Sequence, residues 1–120
     1  MSKYAVVLTA GPDDAGSAVN GLEYAVSLAD GGHEVEVFLD GEATKWPGEV
    51  EHRHDHPIRE NLDRLRRQEI VTACAFCANV FDATDACEES GIELRGVAGE
   101  EHAPDVGELA NDGYQLLTVS

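Results

Sequence analysis

Lysine is nearly missing from this 120-residue chain. Two lysines and six arginines stand against twenty-four acidic residues, for a net charge of −16. Such a surface repels phosphate, which argues against nucleic-acid and anionic-membrane partners. Long apolar runs are missing too: none approaches the ~20 residues needed to cross a bilayer. The Val6–Leu8 run is too short for the core of a signal peptide, so the expected location is the cytoplasm. With only three cysteines, an odd number, and no secretion signal, a disulfide framework is not expected. No G-x-x-x-x-G-K-[ST] or G-x-G-x-x-G phosphate cradle is present, and no G-x-S-x-G nucleophile elbow.

What remains is an ordinary globular composition, 42% apolar and 27% charged, in one domain spanning residues 1–120. The acidic residues are dispersed through every segment. Dispersal with almost no lysine fits a protein adapted to a salty interior better than one built around a single basic partner. At molar salt the Debye length is ~3 Å, so self-repulsion is largely screened.

The apolar pattern alternates between two periods. Lys3–Ala10 reads as a buried strand stopped by Gly11-Pro12-Asp13, and Ala15–Ala29 as a helix carrying Val19, Leu22 and Val26 on one face. His33–Leu39 alternates as a strand, and residues 40–56 read as a long polar loop. Pro57 opens a helix with Ile58, Leu62 and Leu65 inward. A strand at Glu69–Ala73, a helix at Cys77–Glu88, a strand at Ile92–Val97, a short helix at Asp105–Asn111 and a strand at Tyr114–Val119 complete the pattern. Strict β-α alternation predicts an α/β fold: a three-layer α/β/α sandwich with a five-stranded, mostly parallel sheet.

The helix-to-strand loops are short, whereas the strand-to-helix loops are longer and richer in reactive side chains. In an open parallel sheet the latter gather at the carboxyl ends of the strands, where ligands bind. That edge should hold Cys74, Cys77, the cluster His52, His54 and His56, and His102, with Gly11 supplying the turn after the first strand. These five, Gly11 and the four histidines, are the candidate binding residues.

Cys74 and Cys77 form a C-x-x-C pair where a strand enters a helix. Unpaired amides there favour thiolate at one sulfur or both, and two thiols at this spacing can exchange disulfides or pass a sulfur atom. The plainer reading is two small buried residues. Cys87 falls on the inward face of the predicted helix and reads as inert core. The alternating histidines suit a mixed Cys/His zinc site, but no second C-x-x-C follows, and a solvated loop is the better reading. No metal site and no cofactor is assigned. A thioredoxin relation is disfavoured by the parallel start and by the lack of Trp beside the pair.

The segments Thr9-Ala-Gly-Pro-Asp-Asp and Gly32-His-Glu-Val-Glu-Val-Phe-Leu-Asp-Gly-Glu-Ala43, with a C-x-x-C after the third strand, resemble the DsrE/DsrF-like family of small sulfur-relay proteins. The resemblance implies that Cys74 corresponds to the cysteine that carries a persulfide, and Cys77 to the second cysteine of the C-x-x-C subset. It also implies sulfur donor and acceptor proteins as partners, and homo-oligomers. The acidity resembles haloarchaeal members. Family members often follow the cysteines with Arg-Gly, where this chain has Phe81-Asp82. The expected function is a sulfur carrier or transferase. The alternatives are a dithiol/disulfide redox protein, and a zinc-binding or regulatory module.

Overall fold

A computed structural model describes residues 2–120. Five strands, β1 (Lys3–Leu8), β2 (Glu34–Leu39), β3 (Val71–Cys74), β4 (Glu93–Arg95) and β5 (Tyr114–Val119), form one sheet in the order β4-β3-β2-β1-β5. Every pairing is parallel. Six α-helices connect them: α1 (Ala15–Asp30), α2 (Trp46–Val50), α3 (Pro57–Arg67), α4 (Ala75–Val80), α5 (Thr84–Glu89) and α6 (Val106–Asn111).

This strand order explains why the two faces differ. From β1 to β4 the chain steps in one direction across the sheet, so right-handed crossovers put the intervening helices on one face. The step from β4 to β5 runs the other way and carries α6 to the opposite face. The first face holds the main core, in which Val6, Leu8, Val37 and Leu39 meet Leu22 of α1, Leu62 and Leu65 of α3, and Cys87 of α5. The second face holds a thin core of Ala5, Val7 and Phe38 packed against Leu109 and Tyr114. Helix α6 buries none of its residues fully.

Three segments depart from the sequence pattern. The expected loop over residues 40–56 contains a 3₁₀ helix at Gly41–Lys45 and then α2. Its anchor is Trp46, fully buried, whose Nε1–H donates to the Ala10 carbonyl at 2.8 Å. The expected single helix at Cys77–Glu88 is two helices, α4 and α5, because Asp82 takes a left-handed conformation (φ 55°) that ends α4. In consequence Val80 is exposed, while Ala83 is buried and so, as expected, is Cys87. β4 is also shorter than Ile92–Val97. Gly96 (φ 86°) turns the chain out of the sheet, and Val97 pairs antiparallel with Glu101 instead. No helix is long and apolar enough to cross a membrane among the described residues.

Candidate functional site

Three strand-to-helix connections converge at the carboxyl ends of β2, β3 and β4. Asp40 follows β2 and caps the 3₁₀ helix by accepting from the Gly41 N–H at 2.8 Å. Cys74 ends β3 and caps α4, and Cys77 lies in the first turn of α4. His102 is carried by the loop after β4. One donor atom from each of Asp40, Cys74, Cys77 and His102 lies within 4.8 Å of all the others.

The two sulfurs occupy opposite hydrogen-bonding roles. Cys74 Sγ accepts two backbone N–H groups, from Cys77 at 3.3 Å and from Ala103 at 3.4 Å. Both dipoles present their positive ends to the sulfur, an arrangement that favours negative charge there. Cys74 is 2% exposed. Cys77 Sγ instead donates to Asp40 Oδ1 at 3.3 Å. Burial pushes the Cys77 thiol up to about 12; the Gly41 N–H pulls it back in part, and the Asp40 carboxylate and Cys74 raise it further. The expectation of a lowered thiol therefore does not hold for Cys77. It is a neutral proton donor at neutral pH.

Asp40 is the hub. The same Oδ1 meets the Gly41 N–H, the Cys77 thiol and His102 Nε2, the last at 2.8 Å. The His102 side chain is half exposed, so the cluster opens to solvent on that side. A cavity of about 360 Å³ adjoins it, lined among others by Glu36, Phe38, Arg95, His102 and Tyr114. Burial raises the Glu36 carboxyl there, with the Arg95 guanidinium pulling it down. A second cavity, of about 220 Å³ between α2, α3 and α5, has no cysteine or histidine in its lining.

Of the residues singled out from sequence, Cys74, Cys77 and His102 come together. His52 and His54 lie in an exposed turn before α3. His56 caps α3, its Nδ1 accepting from the Ile58 N–H at 3.2 Å, and packs edge-on to Trp46. The three histidines do not join the four-residue cluster. Gly11 has extended backbone, so its need is space rather than conformation: a Cβ there would sit 2.7 Å from Glu42 Cβ. It lets the loop after β1 lie against the segment that begins with Asp40. Cys87 is fully buried, with its thiol facing the Thr44 carbonyl at 3.5 Å, and burial pushes it up to about 11.

Sequence reasoning missed Asp40. The signal available was an Asp-Gly pair immediately after a strand on the ligand edge, but an acidic residue at such a place reads first as a cap, and Asp40 is that as well.

An open parallel sheet that gathers a dithiol, a carboxylate and an imidazole at its carboxyl edge defines a small α/β protein with a candidate thiol site there. The chain belongs to the DsrE/DsrF-like family, whose model matches residues 2–119. It is similar in fold to a conserved protein of unknown function, BT1422 from Bacteroides thetaiotaomicron, with a TM-score of 0.61 and 19% identity over 98% of this chain and 94% of that one. No curated protein matches the chain.

Proposed function

We propose that this protein carries sulfane sulfur on Cys74. The observation that supports this reading is the Cys74 sulfur itself, held by two backbone N–H groups in a chain of the DsrE/DsrF-like family. In the loading step the Cys74 thiolate attacks the outer sulfur of a donor persulfide. A new S–S bond forms at Cys74, the donor's S–S bond breaks, and the donor leaves as a thiolate. The two N–H groups stabilise the charge on Cys74 before attack. Cys77 then takes the sulfane sulfur by attacking the outer atom of the Cys74 persulfide, or resolves it by attacking the inner atom, releasing hydrosulfide and leaving a disulfide. Either attack needs the Cys77 proton removed; Asp40 Oδ1 accepts its hydrogen bond and also meets the half-exposed His102 ring, the route by which the proton leaves to solvent.

The partners are donor and acceptor proteins that present a persulfide or a thiol at the His102 side. The protein acts in the cytoplasm and assembles with copies of itself. Support for assembly comes from α6, which buries nothing fully, and from exposed Val97, Val106 and Leu116 near the thin face.

The test is mass spectrometry after incubation with a persulfide donor, which reads about +32 Da per sulfur added. Wild type and Cys87→Ser should load equally, Cys77→Ser should load less, and Cys74→Ser not at all. Full loading of Cys74→Ser sinks the assignment. A shift of about −2 Da without sulfur gain identifies a dithiol redox protein instead.

A further inference from the structure

The four-residue cluster has a second chemistry that sulfur transfer does not use. Cys74, Cys77, His102 and Asp40 are the S, S, N and O donors of a tetrahedral soft-metal site, and they come from three separate segments brought together by the fold. In a tetrahedron with Zn–S of 2.3 Å and Zn–N or Zn–O near 2.0 Å, the two sulfurs lie about 3.8 Å apart and the N/O pair about 3.3 Å. All four donor atoms lie within 4.8 Å of one another, so closure needs shifts on the order of an ångström or less. The 2.8 Å contact between His102 Nε2 and Asp40 Oδ1 opens by about half an ångström to admit the ion.

Outer contacts already hold the donors in place. Gly41 N–H fixes Asp40 Oδ1, and Ala103 N–H fixes Cys74 Sγ, the kind of support that orients metal ligands. Three donors are largely shielded and His102 is half exposed, which leaves one entry path. Two thiols with an imidazole select zinc or another thiophilic cation over magnesium or calcium.

We infer that Asp40, Cys74, Cys77 and His102 form a binding site for a thiophilic divalent cation of the zinc class, and that its occupancy withholds Cys74 from sulfur loading. Binding displaces the two thiol protons to solvent, and the neutral His102 ring keeps its single N–H on the nitrogen that does not bind. No electron transfer is involved. The withholding part rests on the sulfur-carrier reading; the metal site does not.

The experiment uses full-length protein, reduced and stripped with chelator, titrated with zinc chloride and, for a spectrum, with cobalt(II). One equivalent should bind, and cobalt should give thiolate charge-transfer and tetrahedral ligand-field bands. His102→Gln, at a half-exposed position that the fold tolerates, should weaken zinc at least tenfold, since loss of even an outer-shell partner costs about 10–100-fold. Cys74→Ser should abolish the cobalt charge-transfer band shared by the two thiolates or reduce it to that of one. Cys87→Ser should change nothing. Binding that survives both Cys74→Ser and His102→Gln overturns the site and places the ion elsewhere, for instance at His52 and His54. Absence of binding overturns it outright. Persulfide loading is read by mass on the same metal-free sample, so loading without zinc uptake removes the metal site and leaves the carrier function standing. Zinc uptake without loading does the reverse. Unchanged loading with one zinc bound refutes the withholding.

Discussion

Trp46→Phe isolates the anchor that holds the segment beginning with Asp40. Trp46 is fully buried and its Nε1–H donates to the carbonyl of Ala10, itself 5% exposed. Phe keeps an aromatic ring but has no donor, so the Ala10 carbonyl loses its side-chain partner inside the protein, at about 1–3 kcal/mol. The smaller ring also leaves space that a rigid core fills only in part, adding about 1 kcal/mol. The expected loss is therefore about 2–4 kcal/mol, against a whole-domain stability of about 5–15 kcal/mol. For a chain of this length that corresponds to a fall in Tm on the order of 10 °C. Urea and thermal unfolding followed by far-UV circular dichroism give the number; fluorescence does not serve, because Trp46 is the sole tryptophan. Hydrogen exchange gives the location. The Gly41 and Ala43 amides, which donate to the Asp40 side chain and carbonyl, should exchange faster than those of β1. A variant within about 0.5 kcal/mol of wild type, the range of ordinary surface changes, would refute the anchoring role.

Three other outcomes are expected. Cys87 titrates near 11 when folded and near 9 when unfolded, so between those values the unfolded chain has lost a proton that the native chain keeps. The Cys87 contribution is then full below pH 9 and is lost as pH rises towards 11, by about 2–3 kcal/mol; Cys77, raised likewise, adds its own fall, so a Cys87→Ala variant melted across that range should show a fall smaller than wild type by about that amount. Gly96→Ala puts a Cβ into the Glu101 carbonyl at a left-handed position, so it should cost at least about 1–2 kcal/mol and slow sulfur loading by displacing the Ala103 N–H; unchanged loading and Tm would contradict the loop's role. Finally, with a net charge of −16, both Tm and the fraction assembled should rise from dilute buffer to molar potassium chloride, measured by calorimetry and light scattering; a flat or falling midpoint removes the salt-adapted reading.

The regular elements were legible where one period dominates. Tyr114–Val119 is a strand with the bounds its sequence implies, and Pro57 starts α3 as its fixed φ requires. Residues 40–56 were not legible, because Asp, Glu, Gly and His outnumber the apolar residues there. The helical signal is nevertheless present: Ala43, Trp46 and Val50 stand three and four apart, and all three are buried. The break after α4 has no Gly or Pro to announce it. Asp82 adopts the left-handed turn instead, a conformation that Asp and Asn take more readily than most residues with a side chain. Sheet order decides which face is thin, and nothing local in the chain encodes it.

The site itself was half legible for a related reason. Cysteine and histidine declare their chemistry wherever they stand, so Cys74, Cys77 and His102 could be chosen before their geometry was known. Backbone N–H groups do not declare theirs, and here two of them donate to the Cys74 sulfur. Phe81-Asp82 follows the cysteine pair, and the nearby cation, Lys45, lies over the Phe81 ring, 4.9 Å from its centroid. An arginine on the surface would steady an anionic sulfur through a charge that molar salt screens within about 3 Å. Amides buried against the sulfur are dipoles fixed at hydrogen-bond distance, with no solvent between to screen them. In a chain with a net charge of −16, two such amides hold an anionic sulfur at any ionic strength, whereas the pull of one exposed cation fades as salt rises.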